Sequence, residues 1–135
     1  MATLLDDPDV PMATLKKAIE DRREINDPNV VKVVTNLAGD AIYFSRCPIP
    51  FVRDDGRAVH YKHLGLYVYR REFLLAYSGL PVGPLERMER LEQLRALENG
   101  HRVRVVETEY ESLGVDTPED LERVSALFEP SLKMH

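Results

Sequence analysis

The sequence is poor in the residues that cross-link small proteins. It has one cysteine, Cys47, among 135 residues, and therefore no internal disulfide. It contains no C-x-x-C pair and four histidines, a composition that argues against a zinc site. Disulfide scaffolds and zinc-dependent folds are thus removed from the classes to consider.

Several other signatures are missing. No apolar run approaches the roughly 18 residues of a membrane span. The opening stretch MATLLDDPDV lacks the basic segment and apolar core of a signal peptide. Neither GxxxxGK[ST] nor GxGxxG occurs, so the chain has no phosphate-binding loop of those two types. We expect an intracellular, soluble protein.

The net charge limits the classes of partner that this chain is expected to bind. The formal net charge is -5, which argues against nucleic acid as the main partner because phosphate binding needs a basic surface. An anionic ligand would need local arginines or a bridging divalent cation. With 44% hydrophobic and 30% charged residues, the composition is that of an ordinary globular protein, and the length suits one modest domain.

Periodicity and turn residues predict a mixed α/β order. The clearest signal is a β-hairpin over residues 29–46, with its turn at 36–40. We predict one long helix over 84–100, opened by Pro84 and followed by Gly100. The other predicted elements are a strand at 11–16, a helix at 19–27, a loop at 47–60, a strand at 61–70, and further on a helix at 71–80, a strand at 101–110 and a closing helix at 117–130.

The strand HLGLYVY sorts its side chains onto two faces. Leu64, Leu66 and Val68 form one face, which we read as core. His63, Gly65, Tyr67 and Tyr69 form the other, where Gly65 leaves room for a small polar ligand between His63 and Tyr67. The alternative is a solvent-facing strand that carries amphipathic aromatic residues.

On the predicted long helix, Glu92 falls on the apolar stripe between Leu85 and Met88. A carboxylate there needs a partner, because an unpaired buried charge is costly. Arg95, three residues on, is one candidate partner. The other interpretation is that Glu92 accepts hydrogen bonds from ligand hydroxyl groups, assisted by Gln93.

Two charged residues lie at element ends. Arg46 ends the second hairpin strand, where it is either surface decoration or a ligand group whose fork suits a carboxylate. Asp116 precedes a helix start that Thr117, Pro118 and Asp120 already complete. Asp116 is therefore either a favourable charge at the helix dipole or a ligand for a hard cation such as magnesium.

Four blocks of the sequence together resemble one family, 3-deoxy-manno-octulosonate (Kdo) cytidylyltransferase, also called CMP-Kdo synthetase. In chain order, the blocks are NVVKVVTNLAGDAIYFSRCPIPF, YKHLGLYVYRREFL, PLERMERLEQLRALENGHRVRV and GVDTPEDLERV. The resemblance covers about Pro11 to Phe128 and is to the C-terminal half of the family. It implies an α/β fold of the nucleotide-diphospho-sugar-transferase, Rossmann-like type, with a β-hairpin segment that serves dimerisation.

The resemblance also implies a function. Members transfer a cytidylyl group from CTP to Kdo for lipopolysaccharide synthesis in the cytoplasm of Gram-negative bacteria, as magnesium-dependent homodimers. By resemblance, Arg46 contacts the sugar carboxylate, His63 and Tyr67 lie on the sugar-binding strand, and Glu92 and Gln93 hold sugar hydroxyls. Asp116 resembles one of two aspartates that bind the catalytic magnesium. No residue is assigned a catalytic role with certainty.

The departure from the family is large. Its N-terminal half carries the motif A-R-x-x-S-x-R-L-P-x-K for the CTP phosphates and a Q-G-D-E-P segment with the second magnesium aspartate, and neither occurs in this sequence. Residues 1–135 are therefore expected to form a single partial domain, the sugar-binding and dimerisation half, without the CTP-binding half and without activity alone.

Two other functions are compatible with parts of the sequence. One is a non-catalytic fragment that acts as a dimerisation or interaction module, with the hairpin and the 47–60 loop as its contact surface. The other is a different sugar-acid cytidylyltransferase, such as the sialic acid enzyme, against which the HLGLYVYR and MERLEQLR blocks argue.

Overall fold

A computed structural model describes residues 7–54 and 58–109. The predicted closing helix at 117–130 and Asp116 lie outside the described residues. In chain order, the elements are β1 (Met12–Ala18), α1 (Arg22–Ile25), β2 (Lys32–Thr35), β3 (Ala41–Ser45), β4 (Tyr61–Tyr69), α2 (Arg71–Tyr77), α3 (Pro84–Glu89), α4 (Leu94–Glu98) and β5 (Val103–Glu107).

The five strands form one mixed sheet in the order β3-β2-β4-β1-β5. All pairings are antiparallel except β1 with β5, which is parallel. The predicted hairpin is confirmed as β2 and β3, and Gly39 in its turn adopts φ +91, a backbone conformation that favours glycine. β1 lies between β4 and β5, so both of its edges are hydrogen-bonded.

Each face of the sheet carries its own apolar cluster. The larger cluster includes Phe44, Leu91 and Leu94, and the half-buried tyrosines of β4 pack against it. The smaller cluster consists of Val10, Ala13 and Leu15, with three residues of β4 half-buried against it: Leu64, Leu66 and Val68. The predicted sorting of β4 into two faces is thus confirmed, but the main core lies under its aromatic face and not under its leucine face.

The predicted single helix over 84–100 is wrong. It is two short helices, α3 and α4, separated at Arg90, which adopts a left-handed conformation with φ 56 and ψ 49. A left-handed residue is a common way to end a helix, although glycine is the usual occupant. Gly83, just before α3, lies close to the Glu98 carboxylate, so a Cβ at this position would displace the end of that side chain. That carboxylate accepts hydrogen bonds from the amides of Leu85 and Glu86 and so caps α3.

The predicted helix at 19–27 is also shorter than expected, since α1 is a single turn whose N-cap is Asp21. Its Asp21 carboxylate accepts a hydrogen bond from the amide of Arg23 at 3.0 Å. The remaining predicted strands and α2 lie where the sequence placed them, with end points displaced by up to three residues.

Candidate functional site

A bulge in β4 shapes the site. Across the β1–β4 pair, Ala13 lies opposite Val68 and Leu15 opposite Leu64. One residue of β1 therefore faces three of β4, so that β4 carries two extra residues. In a regular strand, residues four apart are separated by roughly 13 Å, whereas the rings of His63 and Tyr67 lie 5.5 Å apart between centroids.

Thr14 is the β1 residue opposite this bulge, and it is fully buried. Its hydroxyl oxygen lies 2.8 Å from the carbonyl oxygen of Leu66 and 3.1 Å from that of Leu64. The same oxygen lies 2.9 Å from Nε2 of His63. One side chain thus reaches the two carbonyls that flank Gly65 and the histidine beside them.

The imidazole of His63 is held on several sides. The ring of Phe44 packs edge-on at 4.9 Å between centroids, and the amide nitrogen of Gln93 lies 3.4 Å from Nδ1. Burial lowers the pKa of His63 to about 4 because the charged imidazolium loses its hydration there. His63 is therefore a neutral, polar group at neutral pH.

The segment between α3 and α4 faces this part of β4. Arg90 turns the chain, so that Gln93 is buried while the preceding Glu92 is exposed. The hydroxyl of Tyr77 donates a 2.7 Å hydrogen bond to the carbonyl oxygen of Glu92. This bond fixes the turn against α2 and sets the direction in which both polar side chains leave the backbone.

A cavity of about 200 Å³ lies between these elements. We call it the aromatic cavity; its lining residues are Tyr67, Tyr69, Tyr77, Glu92 and Gln93. Burial raises the pKa of Tyr67, and the neighbouring tyrosines and Glu92 add to the effect, so its hydroxyl stays protonated at neutral pH. His63 adjoins the cavity through its contacts with Tyr67 and Gln93.

The chemistry of the aromatic cavity is that of hydrogen bonding to hydroxyl groups. The Glu92 carboxylate is an acceptor, the Gln93 amide is both donor and acceptor, and the tyrosine hydroxyls are both. Its volume lies below the range of about 300–1,000 Å³ usual for drug-sized ligands. A small polyhydroxylated molecule, or one end of a larger ligand, fits this combination.

The expected pairing of Glu92 with Arg95 is wrong. Arg95 forms a two-bonded ion pair with Glu86, at 2.7 and 2.9 Å, and both side chains are mostly buried. Because the helix breaks at Arg90, the angular position computed for Glu92 on a continuous helix does not apply. Glu92 is exposed and not on an apolar stripe. The four residues His63, Tyr67, Glu92 and Gln93 nevertheless lie together.

Arg46 does not line the aromatic cavity. It follows β3 directly, and its guanidinium donates to the carbonyl oxygens of Glu89 at 2.7 Å, Pro28 at 2.9 Å and Arg90 at 3.3 Å. Arg46 therefore ties the edge strand to the end of α3. Among the described residues, each of its terminal nitrogens keeps one N–H outside these three bonds.

The predicted metal ligand, Asp116, lies outside the described residues. Within residues 7–54 and 58–109, no group of three or more His, Cys, Asp and Glu side chains is placed to hold a metal ion. In the same part of the chain, no helix has the length and apolar character needed to cross a membrane.

Sequence reasoning missed Thr14 and Tyr77. Thr14 carries a weak signal, because it is a polar residue within the otherwise apolar run MATL at the start of a central strand. Tyr77 carries none, since its bond to the Glu92 carbonyl depends on the break between α3 and α4. Both act by fixing the backbone on which the predicted residues stand.

Comparison with known proteins places this geometry in context. A family described as cytidylyltransferase matches residues 1–108. The chain is 76% identical over 130 residues to the 3-deoxy-manno-octulosonate cytidylyltransferase of Solibacter usitatus, covering 96% of this chain and 52% of that protein. It is 58% identical to the enzyme of the same name from Syntrophotalea carbinolica, covering 93% and 54%.

A solved structure is also similar. It is the CMP:2-keto-3-deoxy-manno-octonic acid synthetase complexed with CTP, with a TM-score of 0.76 and 48% identity over 92% of this chain and 51% of that one. The chain thus spans about half the length of the relatives it matches. These shares of length do not confirm our assignment to the C-terminal half, nor the dimerisation role of the hairpin.

Proposed function

This chain belongs to the cytidylyltransferase family, and we propose that it supplies the sugar-acid side of cytidylyl transfer from CTP to Kdo. The observation that carries the proposal is the convergence of His63, Tyr67, Glu92 and Gln93 on one small cavity. The cavity offers donors and acceptors for hydroxyl groups, and two relatives similar in sequence to this chain are named for that sugar acid.

Each residue has a proposed part. The Glu92 carboxylate accepts from sugar hydroxyls, and the Gln93 amide and Tyr67 hydroxyl complete the hydrogen bonds. His63 stays neutral because of its burial and contributes a polar wall. The remaining N–H groups of Arg46 are proposed to receive the sugar carboxylate at the end of β3.

The phosphate side of the reaction is proposed to come from outside this chain. The arginine- and lysine-bearing motif and the Q-G-D-E-P segment of the family are absent from the sequence. When bound, magnesium neutralises phosphate charge and aligns the attacked phosphorus. Asp116 is the residue of this chain proposed to hold it, together with the aspartate that the family carries in its Q-G-D-E-P segment. The cytoplasmic location implied by the resemblance remains part of this proposal.

A pyrophosphate-release assay with CTP, Kdo and magnesium tests the proposal. The purified 135-residue chain alone should release no pyrophosphate above background. Turnover should appear when it is mixed with a separately expressed half of the Solibacter usitatus relative that carries the A-R-x-x-S-x-R-L-P-x-K motif. The matched control is the other half of the same relative, which should restore nothing.

Two results would overturn parts of the proposal. Turnover by the chain alone would show that the family's phosphate-binding motifs are not required. Restoration only by the half without the phosphate motif would show that this chain is the CTP-binding part and that its assignment to the C-terminal half is wrong.

The homodimer is proposed on a separate observation. Phe51 is 88% exposed and Val52 is 37% exposed in the loop after β3, and Val59, further along the chain, is also exposed. Apolar groups gathered on a loop mark an association surface. Sedimentation should show a dimer that Phe51→Ser disrupts. The control Met88→Ser, at an exposed apolar residue of α3, should leave the dimer intact. A monomeric wild-type chain at high micromolar concentration would reject the dimer.

The comparisons do not favour the alternative of a non-catalytic interaction module, because the matched proteins are named as enzymes.

A further inference from the structure

We propose that Thr14 is the positioning residue of this site: its hydroxyl fastens the bulge of β4 and holds His63 in one tautomer, and His63 in turn orients Gln93. The inference rests on the proposed function for its consequence in sugar binding. Its structural content is independent of that function.

The first support is the register. Thr14 is paired with Val105 of β5, and its neighbours Ala13 and Leu15 are paired with β4, so its backbone is held on both sides of the bulge. Its side chain projects towards the bulged segment of β4. In that segment, the three residues Gly65 to Tyr67 lie opposite the single residue Thr14, so β4 carries two extra residues. A bulge takes carbonyl groups out of the regular ladder, and buried carbonyls need another donor. The Thr14 hydroxyl is placed at 2.8 and 3.1 Å from the two that flank Gly65.

The second support is the count of protons. A threonine hydroxyl has one proton to donate and two lone pairs to accept. If that proton goes to the Leu66 carbonyl, which is the nearer one, His63 must donate from Nε2 to the hydroxyl oxygen. A neutral imidazole that carries its proton on Nε2 has a free lone pair on Nδ1.

The third support is the partner on Nδ1. The Gln93 amide nitrogen lies 3.4 Å away, the correct group to donate to that lone pair. With its NH₂ group directed at His63, Gln93 turns its carbonyl oxygen away from the ring. The chain of groups from the Leu66 carbonyl through Thr14 and His63 to Gln93 thus has one consistent direction of donation. If His63 carried its proton on Nδ1 instead, that N–H and the NH₂ group of Gln93 would both be donors and would face each other.

The fourth support is that the residue type matters. Thr14 is completely buried, so a side chain of the same shape without the hydroxyl would leave the Nε2–H and a bulge carbonyl without their partner. Valine provides that shape, whereas serine keeps the hydroxyl. Thr35→Val is a matched control, because its hydroxyl bonds the Lys16 ammonium at 3.3 Å and not His63.

The test combines nitrogen NMR of the His63 side chain with titration by Kdo, on the full 135-residue chain. In the wild type, we expect the proton on Nε2 and an unprotonated Nδ1. Thr14→Ser and Thr35→Val should keep this tautomer. Thr14→Val should lose it and weaken Kdo binding by about tenfold, as expected when a buried polar partner is removed, and Thr14→Ser should restore binding.

The outcomes separate the two proposals. A wild-type chain with the proton on Nδ1 overturns the inference, even when Thr14→Val fails to fold. An unchanged tautomer in a folded Thr14→Val chain overturns it as well. Absence of Kdo binding by a wild-type chain with the Nε2 tautomer rejects the proposed function, whereas loss of that tautomer in Thr14→Val still supports the role of Thr14.

Discussion

Two cavities of this protein differ in volume and in how firmly their polar side chains are held. The larger, of about 390 Å³, lies between the 19–26 segment and the loop after β3, and it includes Ile25, Val52 and His60 in its lining. The aromatic cavity is about half that volume. The larger one is bounded by a one-turn helix and an extended loop, whereas the smaller one is bounded by β4, α2 and the break between α3 and α4.

The difference is in how firmly the polar groups are held. In the aromatic cavity, Gln93 is buried, its neighbour His63 is bonded to Thr14, and the Glu92 backbone is bonded to Tyr77. In the larger cavity, His60 contacts a loop carbonyl, that of Pro50, at 3.1 Å. Preorganised polar groups are what a specific small-molecule site requires. The smaller cavity is therefore the better candidate site.

The largest expected effect comes from breaking the ion pair of Arg95, whose guanidinium lies over the ring of Tyr77 in the aromatic cavity. Glu86→Gln should lower the free energy of unfolding by about 3 kcal/mol, because Arg95 would lose its mostly buried partner. Chemical denaturation measures it. Glu24→Gln, which breaks an ion pair beside the larger cavity with a more exposed carboxylate, should cost less.

Glu92→Gln is the second control for that experiment. It should leave the free energy of unfolding almost unchanged, since the described ion pair of Arg95 is with Glu86. An equal loss in Glu92→Gln and Glu86→Gln would restore the Glu92–Arg95 pairing expected from the sequence.

The next effect is on pH dependence. The pKa of His63 is lowered from 6.5 to about 4 by burial, so the unfolded chain binds more protons between these values. Stability is therefore complete above about pH 6.5 and is lost as the pH falls towards 4, by on the order of 3 kcal/mol for this group. Denaturation at several pH values measures the slope. His63→Gln should flatten it and His60→Gln should not; equal slopes in both variants would contradict the assignment.

A smaller effect is expected on ligand affinity. His63→Gln should weaken Kdo binding by about tenfold, because Tyr67 and Gln93 lose the ring that positions them. Calorimetric titration measures it. His60→Gln, at the larger cavity, should leave the affinity unchanged, and a loss of affinity there instead would move the site to the larger cavity.

The smallest effect tests the space above β4. A Cβ at Gly65 would meet no atom within 4 Å, so Gly65→Ala should change the free energy of unfolding by less than about 0.5 kcal/mol. If sugar atoms cross β4 there, the added methyl group should weaken Kdo binding by about threefold, roughly 0.6 kcal/mol. Unchanged affinity would show that the ligand does not reach Gly65.

Much of the fold was predictable because local signals and tertiary structure agree. The hairpin has β-branched and aromatic runs around a glycine turn, and β4 and α2 have clear periodicity. The helix break was not predictable, because Arg90 takes a left-handed conformation without glycine, asparagine or proline to mark it. Two of the inferences about Glu92 depended on that helix, and both failed with it.

The sequence by itself determined which residues are available to the candidate site: His63 and Tyr67 follow from strand parity. Glu92 and Gln93 came from the periodicity of a continuous helix that the structure does not contain, and from the family resemblance. Only the tertiary structure decided how they meet. A two-residue bulge brings the rings of His63 and Tyr67 within 5.5 Å, and a left-handed residue turns Gln93 inward. Both are departures from regular backbone. Departures of this kind are stabilised by contacts distant in sequence, such as Thr14 with His63 and Tyr77 with Glu92, which periodicity along one strand or helix does not encode.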